Sequence, residues 1–238
     1  MIRTDLRTSY MGLELKNPVV VSSSDMTRTL DRIQKCEDSG AGAVVLKSIF
    51  EEQVLIEGGI PESDYAIYPE VLDYMRSGSI FEYAVHDLTD LIEEAKRKVD
   101  IPVIASINCQ TPALWPRFAK QIQEAGANAL ELNISFLPVK LASPGSEYEE
   151  YHVQILKEVK KVISIPVAVK LMSCLTSVPH LGQRLPDSGC AALVLFNWFL
   201  QPDIDTDRLK TKSIICPAEG HRRMDGQTCE FEHHGFQG

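Results

Sequence analysis

The stretch Glu124-Ala-Gly-Ala-Asn-Ala-Leu-Glu-Leu-Asn133 decides the fold. It reads as a helix end, a glycine turn, and a buried strand that delivers a polar side chain at its far end. Two other stretches repeat it: Asp38-Ser-Gly-Ala-Gly-Ala-Val-Val-Leu-Lys47 and Asp187-Ser-Gly-Cys-Ala-Ala-Leu-Val-Leu-Phe-Asn197. Gly40, Gly126 and Gly189 stand where a left-handed residue closes a helix. The apolar run after each glycine suits a parallel strand covered on both faces. Lys47, Asn133 and Asn197 end these runs. The repetition implies a βα architecture with polar groups gathered at one end of the strands.

Working outward, Ile101-Pro-Val-Ile-Ala-Ser-Ile107 and Ile165-Pro-Val-Ala-Val-Lys-Leu171 are near copies of one strand. Asn17-Pro-Val-Val-Val21 supplies another, running into Ser22-Ser-Ser24. Helices are expected between them. One carries Leu30, Ile33 and Cys36 on one face after a cap at Asp25 or Thr27. A second, His86–Lys98, carries Leu88, Leu91, Ile92 and Ala95. A third opens at Thr111-Pro112 and buries Trp115, Phe118, Ala119 and Ile122, with Pro116 tolerated in the first turn. Tyr148–Ile163 keeps Tyr148, Tyr151, Ile155, Leu156, Val159 and Val162 in helical period. A weaker helix follows from Pro179, and Pro186 would cost it a hydrogen bond, about 3 kcal/mol for a helix interior. Residues 5–16 alternate around Met11-Gly12 and predict a hairpin that plugs one end of the fold. The long connection 49–84 reads as a lid, binding loop or insertion. Six strands alternate with helices up to Asn197, where the pattern stops; residues 203–238 contain no further apolar strand and no periodic helix. The fold class is therefore α/β, a TIM-type barrel with six of eight βα units and an N-terminal hairpin. Residues 1–207 form this partial barrel, and 208–238 an irregular or disordered tail.

The 238 residues carry a formal net charge of −9, which argues against nucleic acid as a partner. No apolar run has the length of a membrane span, and the N-terminus lacks a signal-peptide core. The six cysteines are scattered, as in a reduced cytoplasmic chain. No dinucleotide fingerprint and no phosphate-binding P-loop are present. Cys216, His221, Cys229, His233 and His234 have no spacing of a common zinc site, so no metal is expected.

Ligands of parallel βα folds sit at the C-terminal strand ends. There the sequence places Ser22, Ser23, Lys47, Ser48, Ser106, Asn108, Asn133, Ser135, Lys170 and Asn197. Lysines and hydroxyls suit a small molecule with anionic or carbonyl oxygens. Asparagines suit a planar heterocycle, because one amide both donates and accepts. Each residue alone could simply cap its own strand; the recurrence at successive strand ends favours a site.

Asn17-Pro18 with Ser22-Ser23, Lys47-Ser48, Ser106-Ile107, Glu131-Leu-Asn-Ile-Ser135, Val169-Lys-Leu171 and Asn197 together resemble the class 1 dihydroorotate dehydrogenases, and more closely the bacterial dihydroorotate dehydrogenase-like proteins. The resemblance runs from about residue 4 to about residue 207. It implies FMN at the strand ends, held by Ser22, Ser23, Lys47, Ser48, Asn108, Asn133 and Lys170. It implies Lys47, Asn133 and Asn197 on a dihydropyrimidine-type substrate, oxidised at a CH–CH bond in pyrimidine metabolism. Members are cytoplasmic and often dimerise. Two departures stand out. Phe136 occupies the position of the family's catalytic cysteine and cannot take a proton, so no catalytic base is assigned. The seventh and eighth strands that bind the FMN phosphate have no counterpart after Asp207, where the change of character suggests truncation or a frameshift. The alternatives are an inactive barrel fragment without cofactor, or a flavin-free phosphate-binding barrel acting as lyase or isomerase.

Overall fold

A computed structural model describes residues 5–50, 79–109, 112–135, 143–173, 175–197, 200–205 and 210–215. Close packing divides the chain into Met1–Asn197 and Trp198–Gly238.

The first unit begins with strands β1 (Thr8–Tyr10) and β2 (Leu13–Leu15), paired antiparallel. Met11 and Gly12 both have positive φ, at 57° and 78°, as a two-residue hairpin turn requires. The parallel sheet follows: β3 (Val20–Val21), β4 (Ala43–Val45), β5 (Ile49–Phe50), β6 (Val103–Asn108), β7 (Ala129–Asn133), β8 (Val167–Leu171) and β9 (Ala192–Leu195). Its order is β3-β4-β6-β7-β8-β9, with the short β5 also on β6. Six principal strands in sequence order, each returning through a helix, make an incomplete TIM-type barrel. β5 is an addition that the sequence pattern does not announce, being two residues long.

The helices are α1 (Leu30–Asp38), α2 (Ser79–Lys98), α3 (Leu114–Glu124), α4 (Gly145–Lys160) and α5 (Val178–Asp187). The backbone of α2 starts seven residues before the expected His86. Three helix details differ from expectation. Neither Asp25 nor Thr27 caps α1, whose N-cap Thr29 makes no side-chain cap bond; Ser24 and Thr27 instead form a reciprocal capping box on a short 3-10 turn over Asp25–Thr27. Ala113 is the N-cap of α3, so the helix starts beyond Thr111-Pro112 and Pro116 sits harmlessly at its third position. On α4 the buried face includes Glu149 and His152, whereas Val162 is exposed beyond the helix end. Apolar periodicity could not reveal polar residues that find partners inside: Glu149 accepts from the Ser177 backbone and from His180, and His152 Nδ1 bonds the Tyr148 carbonyl.

The three joints form as read. Gly40, Gly126 and Gly189 have φ of 95°, 92° and 93°, a region that other residues enter only at a cost. A second repeat accompanies them. Glu37 Oε1 accepts the backbone N–H of Asp100 and Ile101, and Gln123 Oε1 accepts those of Ser164 and Ile165. Each lies three residues before its joint glycine and ties its helix to the lead-in of a later strand. Pro186 holds the same position in the third joint and has no acceptor side chain. Helix α5 does run through Pro186.

The sheet has two apolar faces. Val44, Leu46, Val103, Ala105, Ile107, Leu130, Leu132, Val167, Val169 and Leu171 pack with the helices. Ala43, Val45, Ile104, Ala129 and Ala168 pack with Met11 and Leu15 of the hairpin. Because Ala43 and Ala129 begin their strands, the hairpin closes the N-terminal end of the sheet's inner face, as expected.

In the second unit, β10 (Leu200–Asp205) and β11 (Lys210–Ile215) pair antiparallel. From the sequence, no further apolar strand is expected over residues 203–238 and an irregular or disordered tail over 208–238, and β11 departs from this. Leu200-Gln-Pro-Asp-Ile-Asp205 and Lys210-Thr-Lys-Ser-Ile-Ile215 lack the continuous apolar run on which the strand reading relied. The zinc-like residues Cys216 to His234 lie outside the described residues.

Candidate functional site

Alternation along β6, β7 and β8 builds the site. Side chains two apart share a face. The inner face therefore carries Ile104, Ser106 and Asn108 on β6; Ala129, Glu131 and Asn133 on β7; Ala168 and Lys170 on β8. Register sets them side by side: Ser106 is opposite Glu131, and Asn133 opposite Lys170. Apolar residues fill the N-terminal end, and the polar ones follow towards the C-terminal end.

The deepest polar layer is one connected network. Ser23 Oγ lies 3.0 Å from Ser48 Oγ, which lies 2.7 Å from Ser106 Oγ. Ser106 Oγ donates to Glu131 Oε1 at 3.2 Å. Lys170 Nζ approaches the same oxygen at 3.5 Å. A hydroxyl has a single hydrogen. Since Ser106 gives its own to Glu131, Ser48 must donate to Ser106, and Ser23 to Ser48. The Ser48 backbone N–H donates back to Ser23 Oγ at 2.8 Å, fixing the start of the chain. All three hydroxyl dipoles thus run towards the carboxylate, an arrangement in which each bond polarises the next.

Above this layer are the amides. Asn197 Nδ2 donates to Asn133 Oδ1 at 2.8 Å. Asn108 Nδ2 donates to Ser135 Oγ at 2.7 Å. Asn108 is 2% exposed, and its Oδ1 has no hydrogen-bond partner among the described residues. A buried acceptor without a donor costs about 1–3 kcal/mol. Lys170 makes one long hydrogen bond and keeps two N–H groups for another acceptor. The layer thus offers ammonium hydrogens, amide hydrogens and one vacant acceptor, the complement of a planar ring bearing carbonyl oxygens and an N–H.

The remaining sequence-derived candidates are placed differently. Lys47 Nζ pairs with Asp25 at 3.3 Å, both side chains being partly or largely exposed, and joins none of the network bonds. Ser22 is exposed. Phe136 lies outside the described residues, as does 51–78 of the long connection. Glu131 has no role in the sequence reading, because apolar neighbours on both sides conceal it within a strand. Its signal was a carboxylate inside a run otherwise fit for full burial, which requires a partner. Among the described residues no group of acidic, His and Cys side chains could hold a metal ion. No described helix is long and apolar enough to cross a membrane.

Tyr10 closes the site from below. Burial pushes its phenol up to about 12, and the Glu131 carboxylate and the Cys190 thiol add to the shift. Burial likewise raises the Cys190 thiol, and lowers the His152 imidazole on α4.

A protein-family pattern described as dihydroorotate dehydrogenase matches residues 5–197. Among curated proteins, the catalytic subunit of dihydroorotate dehydrogenase B (NAD(+)) from Methanocaldococcus jannaschii is 27% identical over 202 residues, covering 81% of this chain and 62% of that protein. The corresponding subunit from Methanothermobacter thermautotrophicus is 25% identical, covering 90% of this chain and 69% of its own length. The NAD-dependent dihydropyrimidine dehydrogenase subunit PreA of Escherichia coli is 27% identical over 179 residues, covering 72% of this chain and 43% of that protein.

Proposed function

The chain belongs to the dihydroorotate dehydrogenase family, and on that premise we propose that it is an oxidoreductase that binds FMN at the C-terminal strand ends and acts on a reduced pyrimidine ring. The relatives are named for dihydroorotate and for dihydropyrimidine, and both substrates are partly saturated pyrimidines.

The vacant Oδ1 of buried Asn108 carries the reading. It sits one strand from Asn133 and two from Lys170, which supply the opposite polarity. The flavin ring has carbonyl oxygens for such donors and an N–H for such an acceptor. Asn108, Asn133 and Lys170 would hold this ring, with Ser22, Ser23 and Ser48 along its edge. Bound FMN would supply the two-electron acceptor for CH–CH oxidation. The network has spent the hydroxyl hydrogens of Ser23, Ser48 and Ser106, so these residues meet a ligand as acceptors. Asn133, Asn197 and Lys47 would hold the substrate; Lys47 would first exchange Asp25 for it. Two such reduced rings differ mainly in their carboxylate, and Phe136 in place of the family's cysteine leaves proton removal to a group outside this set.

The test is an absorbance titration of the folded full chain with FMN. Saturation at one flavin per chain, with perturbed visible bands, is expected. Folded protein that leaves FMN free in solution overturns the reading in favour of a barrel without flavin.

A further inference from the structure

Glu131 is a buried carboxylate that no substrate or cofactor role yet uses. Its side chain is 3% exposed, and that of Lys170 is 10% exposed. A charge buried to this degree is stable only when it is both paired and hydrogen-bonded. Glu131 has both: Lys170 at 3.5 Å and the Ser106 hydroxyl at 3.2 Å, on a single oxygen. The separation from Lys170 is long for a hydrogen bond but within the reach of an ion pair. The carboxylate therefore restrains the ammonium without claiming all its hydrogens.

We propose that Glu131 is a positioning residue: braced by the hydroxyl chain Ser23–Ser48–Ser106, it holds the Lys170 ammonium at the inner face of β8 and offsets part of its charge. Geometry assigns the bracing. Ser23 follows β3, Ser48 follows β4, Ser106 is on β6, Glu131 on β7 and Lys170 on β8, so the chain crosses the inner face strand by strand. Its hydroxyl dipoles all run towards Glu131, so the oxygen that faces Lys170 is also the one the hydroxyl chain braces. A ring ligand meeting Lys170 would feel a cation already partly balanced. Loss of the Glu131 charge would leave Lys170 unbalanced and free to stabilise added negative charge on such a ring.

One consequence needs no ligand, and the other rests on the FMN reading above. Acylation of an amine requires its nitrogen to be free to meet the reagent, and the carboxylate holds the Lys170 nitrogen against the inner face. Brief acetic anhydride labelling of the full chain, read peptide by peptide, follows Lys170 against exposed Lys35 and Lys120. In Glu131→Gln, labelling of Lys170 is expected to rise about tenfold, because one partner of a buried pair has been removed. The controls stay unchanged, which separates the effect from loss of fold. Ser106→Ala, a milder change that keeps the ion pair, gives a smaller rise in the same direction. Glu131→Asp restores part of the protection. Unchanged Lys170 labelling in both Glu131→Gln and Ser106→Ala overturns the proposal.

The second readout is the reduction potential of bound FMN. Glu131→Gln should favour the reduced, more negative ring about tenfold, an upward shift of about 30 mV for a two-electron couple. An unchanged or lowered potential contradicts charge balancing. If the wild-type chain takes up no FMN, the flavin reading falls, and the labelling arm alone decides the role of Glu131.

Discussion

Glu131 and Lys170 lie on neighbouring strands, and their charged ends stand 3.5 Å apart in an interior that exposes little of either. Removing one partner of such a pair strands the other charge, while replacing both is often neutral. Lys170→Met should therefore destabilise the chain by about 3–5 kcal/mol, the range for an uncompensated buried charge. The double change Lys170→Met with Glu131→Gln should recover most of that loss. Denaturant unfolding of the two singles and the double gives the cycle. A double variant as unstable as the sum of its singles would show that the two side chains do not interact.

Asn108 sets stability against binding. Its Oδ1 is buried without a donor, whereas its Nδ2 bonds Ser135. Asn108→Leu removes the orphan acceptor, worth about 1–3 kcal/mol, and sacrifices one hydrogen bond worth about 1 kcal/mol. The ligand-free chain should gain up to about 2 kcal/mol, seen as a higher denaturation midpoint. FMN binding should weaken by about tenfold, the value of one modest hydrogen bond. A variant that binds FMN as tightly as the parent would remove Asn108 from the site.

Much of this was legible beforehand, and the reasons are specific. The joint glycines were readable because only a left-handed backbone explains a glycine between a helix and a buried strand. The strand ends were readable because β6, β7 and β8 are apolar runs that terminate in Ser, Asn and Lys. Glu131 was not assigned, since its partners Ser106 and Lys170 are 25 and 39 residues away. Only strand register brings them together. Lys47 shows the converse: its strand-end position was read correctly, but its ion pair with Asp25 came from the fold of an intervening turn. The β10–β11 hairpin escaped because charged and hydroxyl residues interrupt its strands.

The paired acceptors Glu37 and Gln123 make a prediction about oxygen rather than charge. Both receive two successive backbone N–H groups through one side-chain oxygen, and one is an amide. Glu37→Ala and Gln123→Ala should each cost about 1–2 kcal/mol, the worth of the bonds lost at a partly exposed site. Glu37→Gln keeps the acceptor and should cost far less. Thermal or denaturant unfolding would show it, and a Glu37→Gln loss equal to that of Glu37→Ala would assign the role to charge.

Tyr10 links the hairpin to Glu131 through pH. Its phenol, with an ordinary value near 10.0, is raised to about 12 by burial first and by the Glu131 carboxylate second. A raised acid in the folded chain means that folding favours the protonated form. Below pH 10 both states keep the proton, and the contribution to stability is complete. Between about pH 10 and 12 the unfolded chain releases it while the folded chain retains it, so stability falls with rising pH. Tyr10→Phe has no proton to release, and its stability should fall less steeply over that window. Denaturation midpoints of the two chains at pH 9 and pH 11 measure the difference directly. Glu131→Gln, which removes the repelling carboxylate, should soften the wild-type slope in the same direction but by less than Tyr10→Phe, because burial is the larger cause. Equal slopes for wild type and Tyr10→Phe would mean that the phenol titrates alike folded and unfolded. The hairpin would then not seal Tyr10 beneath the polar layer.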